Sequence, residues 1–286
     1  MKLQFCIVLA AVGVAIVAQA AVLSEAATWK SSAEVKTLNV SNSFGYVVVN
    51  AGGDRVVVKA TKQVEADSAA DARHYLDQVK FAFDEKDGVA TVAPKWPSIY
   101  IGPGIAFVFE ITVPENVKVK AESRGGEVQV YGVRDVEVEG YTESVRVEGA
   151  KDRLVVTGAA GPVTVKGAYG ELRVETASGD VEVDNAGAPS RLALVKTASG
   201  AISATFDLPD KGGVFDFNSS SGVVSLVMGG RRDNAVVKLD STSGQVRSPF
   251  GASYGEDRLA AAGAAGTNLV HAGSSSGDIN VVVAGD

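Results

Sequence analysis

The sequence has few of the residues on which most metal and thiol sites depend. Its 286 residues include one cysteine, Cys6, and two histidines, His74 and His271. Cys6 lies in an N-terminal apolar run that we expect to be removed, which excludes disulfides and thiol chemistry from the processed chain. Two histidines far apart in sequence, with no further cysteine, argue against a zinc site. We predict no metal site, no cofactor and no catalytic residue.

Basic residues are also fewer than acidic ones. The chain has 27 Lys and Arg against 34 Asp and Glu, a net charge of −7, and no basic cluster interrupts the mixture. The field of such a chain opposes binding to nucleic acid or to anionic lipid. We therefore predict no nucleic-acid partner.

Long hydrophobic runs are missing except at the N-terminus. Lys2 precedes an apolar run from Phe5 to Val17, and small residues follow at Ala18 and Ala20. The run is short for a membrane span, so residues 1–20 are predicted to be a signal peptide. Cleavage is expected after Ala20, with Ala26 as the later option. The protein would then be periplasmic or secreted and free of the membrane; a retained membrane anchor is the alternative.

What the sequence does contain is a repeat. One phrase returns five times, with its glycines at intervals of 21, 22, 22 and 33 residues. The copies are TASGDVEV (176–183), TASGAISA (197–204), SSSGVVSL (219–226), STSGQVRS (241–248) and SSSGDINV (274–281). A period near twenty residues is typical of stacked repeat architectures, and the last interval carries an insertion.

Each repeat is predicted to hold two short strands. The second residue after the glycine is always apolar, and an alternating apolar pair precedes the glycine, as in Leu192/Leu194 or Phe215/Phe217. Alternation with period two indicates strands with one buried face. We expect the glycine to allow a positive φ at a sharp corner, and the Ser and Thr hydroxyls to bond to nearby backbone.

Weaker copies extend upstream to about Glu122, so the repeat region is predicted over 122–286. Two topologies fit: a β-solenoid of parallel coils, right-handed by default, and an antiparallel meander of hairpins. The match between whole units favours the solenoid. The predicted fold class is all-β, a right-handed β-helix-like stack of short strands with one helix in the N-terminal part.

The region before the repeats is predicted to cap the stack. Residues 21–36 are expected to be flexible, and 37–121 to be β-rich with one helix over Ser68 to Lys80. Asp67 or Ser68 can cap this helix, and its apolar stripe is Ala72, Tyr75, Leu76 and Val79. The loop 95–104 carries Trp96 and Tyr100 between chain-breaking residues. These rings could close the open end of the stack or contact a partner. Together with the corner serines they form the predicted partner-binding set: Trp96, Tyr100, Ser178, Ser199, Ser221, Ser243 and Ser276.

The order of these phrases resembles the bacterial DUF4097 family of adhesin-like, β-strand repeat-containing proteins. The resemblance rests on SNSFGYVVVN (41–50), FEITVPENVKVKAES (109–123) and the SGDVEV-type repeats, with a Gly-rich insertion (251–266) before the last copy. It implies an exported or envelope-associated β-helix-like fold and no established reaction or ligand. In the early rungs the Ser-Gly corner is replaced by other residues, so their regularity is in question.

Other motifs give weaker signals. GSSSG (273–277) matches a nucleophile elbow around Ser275, but that elbow requires a strand feeding a helix, and here two strands flank it. His271 is expected to be a hydrogen-bonded structural residue whose ring could point inward. Acidic residues such as Glu137 and Glu182 are mixed with basic ones along the outer face, as in cross-strand charge pairing.

The leading functional hypothesis is therefore an exported, non-catalytic module of the cell envelope that binds a glycan or an envelope protein, or serves as a structural element. Weak self-association through the ends of the sheets is also expected. Two alternatives stay open: a polysaccharide-active enzyme on a β-helix scaffold, and an accessory protein of envelope stress or sensing.

Overall fold

A computed structural model describes residues 20–32, 34–140, 143–167, 170–185, 191–210, 212–230, 235–249 and 267–284. The described part forms one helix, α1 (Ala69–Gln78), and 23 strands. Their bounds are β1 Ala21–Lys30, β2 Thr37–Asn42, β3 Gly45–Ala51, β4 Val57–Ala66, β5 Lys80–Lys86, β6 Val89–Lys95, β7 Ala106–Val113, β8 Lys118–Ser123, β9 Glu127–Tyr131, β10 Asp135–Glu139, β11 Ser144–Glu148, β12 Arg153–Ala159, β13 Val163–Lys166, β14 Glu171–Thr176, β15 Val181–Asn185, β16 Leu192–Thr197, β17 Ile202–Leu208, β18 Val214–Ser219, β19 Val224–Gly230, β20 Ala235–Ser241, β21 Val246–Arg247, β22 Asn268–Ser274 and β23 Ile279–Val283.

The strands form two sheets of 12 and 11 strands. We call them sheet A, with the order β1-β4-β7-β3-β9-β11-β13-β15-β17-β19-β23-β21, and sheet B, with the order β20-β22-β18-β16-β14-β12-β10-β8-β2-β6-β5. From β8 onward the chain alternates between the sheets, and neighbouring strands within each sheet are parallel. One coil is thus a strand of sheet B, a corner, a strand of sheet A and a return loop. This confirms the predicted solenoid-like fold and excludes the meander for the repeats; the handedness stays a prediction.

Equivalent residues of successive repeats stack in register. Val181 lies beside Ile202, Ile202 beside Val224, and Val224 beside Ile279. All four side chains are buried, and the strand residues between them face outward. Burying one such side chain contributes roughly 1.5–3 kcal/mol, so the shared interior between the sheets is the main source of stability.

In one strand the inward register differs from the prediction. Leu192 and Leu194 were expected to face the core, but Ala193 and Val195 do so, and both leucines are only half-buried. Val195 lies beside Val174 and Phe217, which fixes the inward positions five and seven residues before the corner glycine. His271 lies one residue off this register, so its ring points outward and not into the core. The neighbouring strands, not local hydrophobicity, set the register.

The end of the solenoid formed by residues 20–113 is closed by antiparallel strands and α1. β4 pairs antiparallel with β7, β1 with β4, and β5 with β6. α1 packs against β1 and β4, with Ser68 as its N-cap accepting a bond from the Asp71 amide. Of its predicted apolar stripe, Ala72 and Leu76 are buried, Tyr75 is half-buried, and the buried Val79 follows the end of the helix. The prediction of a flexible segment over 21–36 was wrong for β1, because ten backbone pairs hold that strand on β4.

A buried lysine joins β4, α1 and β1. The side chain of Lys62 is fully buried, and its Nζ donates to the carbonyl oxygens of Leu76 and Val79 at 2.7 and 2.6 Å. These carbonyls lie at the C-terminal end of α1, where a cation is favourable. Glu25 of β1 completes the site at 3.2 Å. The first strand therefore supplies the counter-charge of a buried cation.

The coils do not stack in the order of the sequence. β22 lies between β18 and β20, and β23 lies between β19 and β21. The fifth repeat is thus inserted between the third and the fourth, and the fourth forms the outer coil at this end. Residues 251–266, the Gly-rich insertion, connect the two repeats and lie outside the described residues. The signal-peptide prediction likewise concerns residues outside the described part, apart from Ala20. In the described part of the chain, no helix has the length and apolarity needed to cross a membrane.

Candidate binding surface at the serine-glycine corners

The five repeat glycines form a single column along the corner edge of the solenoid. A Cβ atom at Gly200 would meet the carbonyl oxygen of Gly179 far inside contact distance, and Gly222 has the same relation to Gly200. The column continues through Gly277 to Gly244, which confirms the exchanged order of the last two coils. None of these glycines has a positive φ. The expectation of a positive φ here was wrong: the corners need glycine because the next backbone passes too close for a Cβ atom.

A second column of buried hydroxyl groups lies behind the glycines. The Ser219 hydroxyl accepts a bond from the Gly222 amide at 2.8 Å and donates to the Gly200 carbonyl at 2.9 Å. Ser274 repeats both bonds with Gly277 and Gly222. Each hydroxyl therefore satisfies its own corner and fastens it to the adjacent coil. The predicted hydrogen bonding of corner hydroxyls to backbone is confirmed.

The predicted serine sites lie on the outer side of this column. Ser178, Ser199, Ser221, Ser243 and Ser276 are all exposed. Three of their hydroxyls donate to the adjacent coil: Ser178 to Ala160, Ser221 to Ala198 and Ser243 to Ser275. The corner edge is thus a straight row of exposed hydroxyls, spaced by the strand separation of roughly 4.8 Å.

A polar groove opens beside the last corners, on the outer face of sheet B. It encloses about 400 Å³. We call it the His271 groove; its lining is Lys196, Thr197, Asn218, Ser219, Ser220, Asp240, Thr242, His271, Gly273, Ser274 and Ser275. Part of the space exists because Gly273 has no side chain, since a Cβ atom there would collide with the Asn218 amide oxygen.

His271 bridges three adjacent strands at the floor of this groove. Its Nδ1 lies 2.7 Å from Asp216 of β18, and its Nε2 lies 3.1 Å from Asp240 of β20. The bond to Asp216 is the main cause that raises the pKa of His271; burial opposes it, and Asp240 adds to it. The same bond lowers the pKa of Asp216. Burial acts to raise the pKa of Asp240, but bonds from Lys238 and His271 outweigh it and the pKa is lowered.

Elsewhere on sheet B, several outward carboxylates are paired with cations. Glu137 contacts Lys118 and Lys120 at 3.3 and 3.5 Å, and burial of its carboxyl is outweighed by these lysines, so its pKa is lowered. Glu171 contacts Arg173 of its own strand at 2.6 Å and Arg153 of the adjacent strand β12 at 3.9 Å. The predicted cross-strand charge pairing is therefore present on this face. Such half-exposed pairs contribute little to stability.

The aromatic loop places its predicted residues inward. Trp96 packs edge-on against Tyr100 and Phe107, with ring centroids 5.0 and 5.9 Å apart, and Tyr100 packs against Tyr75 of α1. The Tyr100 hydroxyl donates to the Pro103 carbonyl at 2.7 Å, and burial, followed by Tyr75, raises its pKa. Both rings are half-buried and brace the loop. The exposed side chains are Ile99 and Ile101, which sequence reasoning missed although they alternate with Tyr100.

Two further motifs occupy structural positions. Ser275 lies in a corner between β22 and β23, so GSSSG has no helix after it and does not form a nucleophile elbow. His74 lies on the outer side of α1 beside Gln78, at 2.9 Å. Among the residues that the structure describes, no three His, Cys, Asp or Glu side chains converge to hold a metal ion.

The solved structures to which this chain is similar over most of its length are distant in sequence, and the TM-scores are below 0.5. A "putative adhesin" from Bacteroides fragilis is 12% identical, with a TM-score of 0.45, over 91% of this chain and 97% of that one. A "putative lipid binding protein" from Parabacteroides distasonis is 13% identical, with a TM-score of 0.40, over 91% and 96%. A "putative cell adhesion protein" from Clostridium sporogenes is 12% identical, with a TM-score of 0.29, over 91% and 100%.

Comparison with curated proteins gave no significant match. The sequence profile described as Toastrack DUF4097 matches residues 47–282, which is most of the chain and includes β4 to β22 in full. This span contains the corner columns, the His271 groove and the braced aromatic loop. The chain therefore belongs to the DUF4097, or Toastrack, family.

Proposed function

We propose that this protein is an exported, non-catalytic binding module of the cell envelope, and that the His271 groove takes a hydroxyl-rich ligand, a glycan segment. The observation that carries the proposal is the composition of the groove. Hydroxyl groups, the Asn218 amide, a histidine, a lysine and the Asp240 carboxylate line one open cleft at the end of the row of corner serines. Sugars are recognised by such sets of donors and acceptors, placed to fix orientation.

The geometry of His271 supports binding without turnover. Both ring nitrogens lie against carboxylates, at 2.7 and 3.1 Å, so neither is free to take a proton from a substrate. Two carboxylates elsewhere on sheet B, Glu137 and Glu171, are held in ion pairs. A glycoside hydrolase instead needs a carboxyl group with a raised pKa facing a second carboxylate across the bond to be cleaved.

Export rests on the N-terminal sequence, and Lys62 favours one of the two cleavage sites. Cleavage after Ala20 leaves β1 whole, whereas cleavage after Ala26 removes Glu25 and leaves the Lys62 ammonium buried without its carboxylate. An uncompensated buried charge is strongly unfavourable. We expect the protein from an exporting bacterial host to begin at Ala21, as measured by intact mass. A mass that begins at Ala27 would contradict this choice, and an uncleaved chain would favour the retained anchor.

A glycan panel tests the binding proposal. Ser275→Trp should fill the groove and abolish binding, because Ser275 is exposed at its rim and Ser243 contacts only its backbone carbonyl. Ser178→Trp is the matched control, since it puts the same ring on a distant corner of the same edge. Equal loss of glycan binding in both variants would show that the binding site is the whole row of corner serines and not the groove. Release of a shortened glycan by the wild type would instead favour the polysaccharide-active enzyme, and no glycan binding would leave the envelope-protein and sensory alternatives.

A further inference from the structure

Four exposed apolar side chains lie at the end of the solenoid opposite the His271 groove. Ile99 and Ile101 are 77% and 83% exposed in the loop between β6 and β7, Phe44 is 56% exposed at the neighbouring corner, and Val22 is 53% exposed near the start of β1. Single exposed hydrophobic residues are ordinary, but a group at one place marks an interaction site.

The strand register brings these residues to one edge. Ser24 of β1 lies beside Gln63, and Gln63 lies beside Ala106, the first residue of β7 after the loop. Phe107 in turn lies beside Gly45, and its amide donates to the Phe44 carbonyl at 2.8 Å. The start of β1, the isoleucine loop and the Phe44 corner therefore share the corner edge.

Contacts on its buried side hold the loop between β6 and β7 in shape. The Tyr100 hydroxyl closes it onto Pro103, Trp96 packs against Phe107, and Ile105 is fully buried. Ile99 and Ile101 thus project from a braced base on either side of Tyr100. Rigid support of this kind reduces the entropy lost when the exposed side chains enter an apolar medium.

Two of the three segments that form the edge carry no charge, whereas at the third, the start of β1, Val22 lies beside Glu65 of β4. Residues 96–109 and 41–53 contain no Asp, Glu, Lys or Arg. The apolar run from Phe5 to Val17 is separated by three residues from Ala21, where β1 begins at this edge. A membrane that receives the run, either before cleavage or because cleavage does not occur, is therefore only a few residues from this edge. We propose that this edge lies against a lipid bilayer, with Ile99 and Ile101 inserted among the lipids and the His271 groove directed away from the surface.

A bilayer fits the edge better than a second copy of the chain. The apolar groups stand on a loop, a corner and a strand end, and do not form the flat, complementary face that a protein interface needs. Lipid takes up separate protruding side chains without shape complementarity. The sequence predicted that the protein is free of the membrane after cleavage, and this proposal departs from that prediction. It does not depend on which ligand the His271 groove binds.

Depth-dependent quenching tests the proposal in the full chain. The native cysteine is replaced by Cys6→Ser, and an environment-sensitive fluorophore is attached at Ile101→Cys or, as control, at Val282→Cys, which is 57% exposed at the opposite end. With phosphatidylcholine vesicles containing brominated lipid, we expect quenching and a blue shift at position 101 only. Because the fluorophore reports the surroundings of position 101 itself, the experiment detects insertion of the loop whether or not the N-terminal apolar run is retained.

The possible outcomes distinguish a lipid bilayer from a second copy of the chain as the partner of this edge. No quenching at 101, or equal quenching at 101 and 282, would overturn the proposal. In a second arm, Ile99→Ser with Ile101→Ser should reduce vesicle flotation of the processed protein at least tenfold, while Val282→Ser should leave it unchanged. If the double variant instead abolishes a concentration-dependent dimer seen without vesicles, a second copy is the occupant and the lipid proposal fails.

Discussion

At the residue scale, the corner position shows how a repeated residue can be required for a reason that its sequence pattern does not reveal. Glycine at 179, 200, 222, 244 and 277 is dictated by the approach of the adjacent backbone. Positive φ values occur at the other corner of the coil, at Gly132 and Gly149, and on the corner edge at Gly45 and Gly126 of the earlier coils. Within the five repeats the corner edge therefore needs glycine for close approach alone, and substitutions there should differ in their effects from those at Gly132 and Gly149.

Gly222→Ala should destabilise the protein by about 3 kcal/mol, because the added methyl group collides with the Gly200 carbonyl and the strands on either side prevent its relief. Urea unfolding measures the change. Gly104→Ala is the control, since no heavy atom lies within 4 Å of a Cβ atom at that position. Similar midpoints for the two variants would refute the role of close approach.

The bridge through His271 should make the outer coil sensitive to pH. Because the pKa of His271 is raised above its ordinary value of 6.5, its stabilising contribution is complete below pH 6.5 and is lost as the pH rises through the folded-state pKa. The carboxyls act in the opposite direction: the contribution of Asp216 is present above its ordinary pKa of 3.8 and is lost as the pH falls.

We therefore expect hydrogen exchange of peptides covering β20 to quicken between pH 6.5 and 9, after correction for the intrinsic exchange rate. His271→Gln should remove this pH dependence, and His74→Gln, which changes an exposed histidine on α1, should retain it. Persistence of the pH dependence in His271→Gln would show that another group is responsible.

At the element scale, the end of the stack near the N-terminus depends on contacts between segments that are distant in the chain. β1 pairs with β4 alone, and α1 lies where its last carbonyls meet the Lys62 ammonium. The stacked rings of Trp29 and Phe83, 5.9 Å apart, join β1 to β5 across the two sheets. The cap is thus assembled by ion pairing and ring packing between both sheets.

Glu25→Gln should loosen this cap by about 1–2 kcal/mol, a value discounted because Glu25 is 36% exposed while Lys62 is fully buried. Glu65→Gln, on the exposed side of β4, should have almost no effect. The difference in unfolding free energy between the two variants gives the contribution of the pair. Equal values would indicate that the two carbonyl oxygens alone satisfy Lys62.

At the scale of the whole molecule, the coils at both ends of the solenoid do not stack in the order in which they occur in the sequence. The first coil, β2 and β3, is covered by β6 and β7, and the fourth repeat is pushed outward by the fifth. The outermost parallel coils at both ends therefore come from inside the sequence, although β1, the first strand, forms the edge of sheet A. Its two ends also differ in chemistry, with exposed isoleucines at one and a charged polar groove at the other.

Engineered cysteine pairs in a Cys6→Ser background should report this order. Ser221→Cys with Ser276→Cys should form a disulfide, because their corners are adjacent and the Ser276 amide donates to the Ser220 carbonyl at 3.2 Å. Ser221→Cys with Ser243→Cys should not, since one coil separates them. Mass spectrometry under non-reducing conditions detects the bond. Cross-linking of the second pair alone would establish stacking in sequence order.

The sequence by itself determined the all-β class, the two strands of each repeat, the inward position two residues after each corner glycine, and the helix that follows Asp67 and Ser68. These features depend on local alternation and capping, which a single chain segment carries in full. It did not determine the register of Leu192 to Val195 or the outward ring of His271, because neighbouring strands impose them. Only the tertiary structure decided the exchanged coils, the column of closely packed glycines and the His271 groove, since each is formed by residues that come together only when coils stack.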